Sequence, residues 1–227
     1  MPDEQSATGR AYTAILDAIL NGRHLPGTML SEAALAAQVG VSRTPVRTAL
    51  ARLQDDGWVA IYPKRGAIVR GLSERDIADL ADARLILEST SVQRARPEDL
   101  QLLAERLDSE VAVQREALDG GDVRAFIEST VAFHRSFVQA GRNRVLLELN
   151  DRLADRQRFL LFSYGDTLLA RCADIIAEHQ GLVAHLRAGD AEAFSEALRH
   201  HIGDTLGTPL DEIRPARPLA PARTHGA

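Results

Sequence analysis

Two arginines four residues apart, Arg43 and Arg47, lie with Thr44 in the stretch "VSRTPVRTALARL" (41–53). Guanidinium groups at i and i+4 on one exposed helical face form a donor set suited to guanine edges and phosphates. Such a face needs a helix with a firm start. Ser42 suits the N-cap, its hydroxyl placed to accept a bond from a free N–H of the first turn. Pro45 then falls in that first turn, where N–H groups lack intrahelical partners and proline costs little. Val46, Leu50 and Leu53 recur at i, i+4 and i+7 and supply a buried face. Cationic donors at the N-terminal end of a short, anchored helix are what a DNA recognition helix presents.

The neighbouring elements fit that task. "SEAALAAQVG" (31–40) predicts a short helix capped by Ser31, which also stands within reach of a phosphate, and closed by Gly40. Leu35 and Val39 are spaced to pack on the next helix. "WVAIYPKRGAIVR" (58–70) holds two runs rich in β-branched and aromatic residues around "PKRG". That predicts a hairpin whose tip carries Lys64, Arg65 and Gly66, the glycine permitting positive φ and close approach to a phosphate. Helix, tight turn, helix and basic hairpin make a winged helix-turn-helix over residues 1–72. Ser31, Arg43, Thr44, Arg47, Lys64, Arg65 and Gly66 are its candidate contacts to double-stranded DNA.

A chain of 227 residues has room for two domains. The net charge of −5 argues weakly against nucleic acid, but it is unevenly distributed. Residues 1–72 hold eight Lys+Arg against six Asp+Glu, a net of +2, and the remainder holds 19 against 26, a net of −7. A mildly basic front and an acidic back suit a DNA-binding domain joined to something with another task. Residues 73–208 read as successive amphipathic helices with short Gly/Asp breaks, and Pro97 is their only proline. They predict an antiparallel all-α helical bundle, so the fold class is mainly α. Residues 209–227, rich in proline and alanine, predict a disordered tail. No apolar run reaches membrane-spanning length, and the lone Cys172 allows no internal disulfide; both point to a cytoplasmic protein with no membrane partner.

With these residues in place, the chain resembles the GntR family of bacterial transcription regulators, and its FCD subfamily in particular. The resemblance spans about residues 10–207. It rests on "ILNGRHLPGTMLSEAALAAQVGVSRTPVRTALARLQDDGWV" in the first domain, and on "ARLILE", "FHRSFVQAGRN" and "EHQGLVAHLRAGDAEAFSEALRHHI" in the second. It implies a homodimer on a near-palindromic operator, with a small ligand in the helical domain changing the affinity for DNA. It also implies a metal site. His134, His179 and His201 match the metal-binding histidines of the family's metal-dependent branch, a donor set for a divalent ion such as Zn or Ni. His185 and His200 fall on other faces of their helices. Where that branch has an aspartate four residues before the first histidine, this chain has Thr130, a neutral and poor ligand. Asp204, three residues after His201, is a candidate substitute. Arg84 matches the arginine of the family's "R…E" helix. The resemblance places Arg84 and Thr130 at the effector pocket, where a buried arginine must be answered by Glu88 or by an anionic ligand. A small carboxylate effector fits that requirement.

Two other readings compete. One is the same family with a metal-free pocket for an acyl-CoA or other ligand, the histidines being its lining. The other is a metal-dependent hydrolase built on a helical bundle. No general base accompanies the histidines on the HExxH pattern, and an enzyme would leave the winged domain without a task. The residues favour a ligand-responsive regulator over an enzyme; a repressor is the expected sign, which the residues themselves do not set.

Overall fold

The computed structural model describes residues 6–63 and 65–215. The chain divides into two compact units between Ser73 and Glu74, with Arg158–Tyr164 grouped with the first. The break lies one residue from the expected boundary. The grouping of 158–164 departs from the expected helical domain, and Phe159 is the reason. Its buried ring meets Trp58 edge to face, with centroids 5.6 Å apart, in the first unit's core.

In the first unit the order is α1 (Ala7–Leu20), β1 (Met29–Leu30), α2 (Glu32–Val39), α3 (Arg43–Asp55), β2 (Val59–Tyr62) and β3 (Gly66–Val69). Ser31 caps α2 as expected, its hydroxyl accepting from Ala34 N at 3.5 Å, and Gly40 closes it in the left-handed conformation. Ser42 stands at the N-cap of α3 but makes no side-chain cap bond, contrary to expectation. Pro45 supplies the reason: it occupies the third helical position, so one of the two N–H groups a serine cap uses does not exist. Burial holds the helix instead. Val46, Leu50 and Leu53 are all buried, together with Ala49, against Ile15 and Ile19 of α1.

The hairpin forms with register Val59↔Val69 through Tyr62↔Gly66. A third strand, absent from the sequence expectation, joins it: β1 pairs with β3, giving the order β1-β3-β2. Gly66 has φ of +109°, and a Cβ there would lie 2.5 Å from the Leu30 carbonyl oxygen. The sheet itself therefore demands this glycine, whatever approaches the wing from outside. Lys64 lies outside the described residues.

The second unit contains α4 (Glu74–Arg94), α5 (Pro97–Asp119), α6 (Val123–Ala140), most of α7 (Arg144–Tyr164), α8 (Asp166–Ala188) and α9 (Ala191–Leu206). Pro97 opens α5 at a first-turn position, and Asp122 and Asp190 cap α6 and α9 by accepting from Ala125 N and Ala193 N, each at 2.9 Å. Helix α5 packs on α6 and α8, α4 on α6 and α9, and α8 on α9. Phe126, Phe133, Phe137 and Phe194 fill the centre. Residues 209–215 are not the loose tail expected. Ile213 is fully buried, the Leu210 carbonyl accepts from Arg199 Nη1 at 3.1 Å, and Arg214 N donates to Asp82 Oδ1 at 3.1 Å. Gly203 makes room for this strap, since a Cβ there would meet Leu210 Cδ2 at 2.8 Å. Residues 216–227 lie outside the described part. Among the described residues, no helix is long and apolar enough to cross a membrane.

Candidate functional site

The bundle gathers its polar residues at one place inside the second unit. Helix α6 brings Thr130 and His134, α8 brings Glu178 and His179, and α9 brings His201; α5 adds Gln114, and α4 adds Arg84 and Glu88. All are buried except Glu178, which is half-buried. One ligand atom from each of His134, His179 and His201 lies within 4.8 Å of the others. The three residues that the sequence singled out on separate helices do come together. Asp204 is exposed and stays out of the cluster, so it replaces no ligand. His200 is also exposed and pairs with Glu196.

Each imidazole is held from behind. Nδ1 of His134 meets Glu88 Oε2, Nδ1 of His179 meets Gln114 Oε1 and Nδ1 of His201 meets Glu178 Oε2, all at 2.7 Å. Those oxygens are acceptors, so the partners assign the proton to Nδ1 and leave the Nε2 lone pair facing inward. Nε2 of His134 then faces Nε2 of His201 at 3.1 Å, while Nε2 of His179 is buried with no partner. At that distance the two nitrogens need either a proton between them or a shared cation. Burial opposes extra protons, holding both His134 and His179 well below the usual imidazole value, with the neighbouring His201 and Arg84 charges adding to the effect. Phe133 stacks on His179 with centroids 4.2 Å apart and fixes its plane.

Charge around the histidines is arranged in pairs. Arg84 Nε donates to Glu88 Oε1 at 2.9 Å in a buried i, i+4 pair, so Glu88 answers the buried arginine. Burial, only partly offset by Arg84, raises the Glu88 carboxyl above its ordinary value; its position between a guanidinium and an imidazole nitrogen favours the ionised, accepting form. Burial also raises Glu178, but its bond to His201 and the charges of His201 and Arg171 outweigh that and hold it below the ordinary range. Arg84 Nη2 and Thr130 Oγ1 are buried without partners. Arg84 Nη2 keeps donors for an anion, and the Thr130 hydroxyl can donate or accept a neutral bond. Gln114 and Glu178 escaped the sequence reading because each serves a histidine on another helix, a pairing that periodicity along one helix does not reveal.

The first unit presents a second site. A cleft of about 470 Å³ is lined by Ser31, Glu32, Arg43, Arg47, Tyr62 and Arg65, among others, with Gly66 at its edge. Arg43, Thr44, Arg47 and Arg65 are exposed. Glu32, which the sequence reading passed over, grips Arg47 through two bonds, from Nε to Oε1 at 3.0 Å and from Nη2 to Oε2 at 2.7 Å. Arg43 Nη2 reaches Glu32 Oε2 at 3.4 Å.

Comparison with known proteins covers both units. Residues 7–69 match the family described as "Bacterial regulatory proteins, gntR family", and residues 79–204 match the FCD domain. A probable D-xylose utilization operon transcriptional repressor of Paenarthrobacter nicotinovorans is 32% identical over 83% of this chain and 82% of its own length. The gluconate operon transcriptional repressor of Bacillus subtilis is 27% identical over 82% of this chain and 78% of its own. Among solved structures, a GntR regulator from Rhodococcus sp. RHA1 superposes with a TM-score of 0.74 at 25% identity, covering 88% of this chain and 95% of the other. A winged helix-turn-helix in front and a helical bundle behind, matched in that order along nearly the whole chain, mean that the protein belongs to the GntR family with an FCD domain, and is a transcription regulator rather than an enzyme.

Proposed function

We propose that the protein is a cytoplasmic repressor that binds operator DNA as a homodimer and responds to a small carboxylate effector at a divalent metal site in its helical unit. The observation that supports this most is the meeting of three buried imidazoles, each with a ligand atom within 4.8 Å of the others, the Nε2 atoms of His134 and His201 being 3.1 Å apart and Nε2 of His179 unpartnered. A bound Zn or Ni ion would supply positive charge and open coordination positions. His134, His179 and His201 would hold it through Nε2, while Glu88, Gln114 and Glu178 fix the tautomers that expose those atoms. Arg84 Nη2 is free for a charge-assisted bond to an anion, and the Thr130 hydroxyl offers a neutral one. Ser31, Arg43, Thr44, Arg47, Lys64, Arg65 and Gly66 are the proposed DNA-facing residues of the other unit.

Calorimetry with Zn, alone and with acetate present, tests the reading on protein prepared without chelator. Zn binding should tighten in the presence of the carboxylate, and by linkage the carboxylate should tighten by the same factor when Zn is present. Absence of Zn and Ni binding under both conditions would overturn the metal site and return the histidines to the lining of a metal-free pocket.

A further inference from the structure

Glu32 carries the wrong charge for a surface that meets phosphates, yet it stands among the arginines proposed to do so. Its place at the start of α2 suits a carboxylate, because the helix N-terminus is electropositive. Its oxygens nevertheless point to α3, taking Arg47 through two bonds and Arg43 through one long one. The arginine side chains are 64% and 67% exposed, and ion pairs that open to water contribute little to stability. The consequence of the contact is therefore orientation. A guanidinium has five N–H donors fixed in one plane. Glu32 occupies the side-on edge of Arg47, namely Nε–H and one N–H of Nη2. The end-on edge, formed by Nη1 and the other N–H of Nη2, is left free. That edge is a two-pronged donor of the kind that matches O6 and N7 of guanine.

We propose that Glu32 is a positioning residue of the DNA interface: it locks the Arg47 plane so that its end-on edge reads one guanine in each half-site. Arg43, tethered by a single 3.4 Å contact, can leave Glu32 for a phosphate without disturbing the grip on Arg47. The bond from Arg47 holds the Glu32 carboxyl below its ordinary range, so it stays charged. Its charge opposes the phosphate backbone at every sequence alike. Glu32 thus trades general affinity for discrimination. This inference rests on the DNA-facing assignment of α3.

Selection from randomised duplexes, followed by titration of the selected duplex and of single-base variants at fixed salt, tests it on the full-length protein. Wild type should select a guanine in each half-site and lose about 5- to 150-fold in affinity when it is replaced. In Glu32→Gln that ratio should fall at least about fivefold, while affinity for an unrelated duplex holds or rises with the lost negative charge. Arg47→Ala should remove the discrimination, and adding Glu32→Gln to it should leave the ratio between duplexes unchanged. Unchanged ratios in Glu32→Gln would overturn the proposal, and so would an equal fall for selected and unrelated duplexes. A wild type that selects no sequence would overturn the DNA-facing assignment itself, and this inference with it.

Discussion

Thr130 places a neutral hydroxyl, buried and without a partner, on the helix that carries His134 one turn later. An unpaired buried hydroxyl costs about 1–3 kcal/mol, so the residue is tolerated rather than stabilising. A carboxylate at that position would meet the same histidines with opposite consequences in two states. Without metal, Thr130→Asp should lower the thermal midpoint, because a buried charge gains no partner. With Zn it should raise the midpoint above wild type and tighten binding, on the order of tenfold to a hundredfold, the scale on which even outer ligand shells act. The dependence on added carboxylate should shrink in the same variant. Melting curves with chelator and with Zn check both signs, and equal shifts under the two conditions would show that residue 130 does not face the ion.

At the scale of elements, what was legible in the sequence was local. The buried stripe of α3, the stop at Gly40 and the existence of the hairpin all follow from patterns within about a dozen residues. The cap at Ser42 failed because two local rules conflict there, and proline removed one of the donors that serine would have used. Strand β1 escaped because two residues, Met29 and Leu30, show no alternation; β3 alone makes them a strand. The strap over α9 was hidden by the proline- and alanine-rich composition of residues 209–227 as a whole, in which Ile213 was a faint apolar signal. The three histidines could be assigned to one site by resemblance, whereas the residues holding them from behind required the packing of five helices. Gly66 turns this contrast into a test. Gly66→Ala combines positive φ with a backbone clash, and should destabilise the first unit by about 1–3 kcal/mol. Gly40→Ala, also at positive φ but with open space around it, should cost less, about 1 kcal/mol. Equal melting of the two variants would mean that β1 does not crowd the wing.

On the whole-molecule scale, a single winged unit offers few contacts, and proteins of this build read paired half-sites about one helical turn or more apart. The proposed repressor would then act as two copies, and the acidic helical unit is where they are expected to meet. It leaves Ile86 on α4, and Val145 and Leu149 on α7, exposed. Light scattering at micromolar concentration should give a mass near twice the chain's 24.7 kDa, with or without DNA. A mass near one chain would count against the dimer. The position of Trp58 has a practical consequence. It is the chain's one tryptophan, buried in the first unit, while most of the helix, and with it most of the far-ultraviolet dichroism, belongs to the second. Fluorescence and dichroism therefore watch different halves of the molecule. A metal or carboxylate that displaces only the dichroism transition has stabilised the bundle alone, and one that moves both transitions together has made the two units unfold as one.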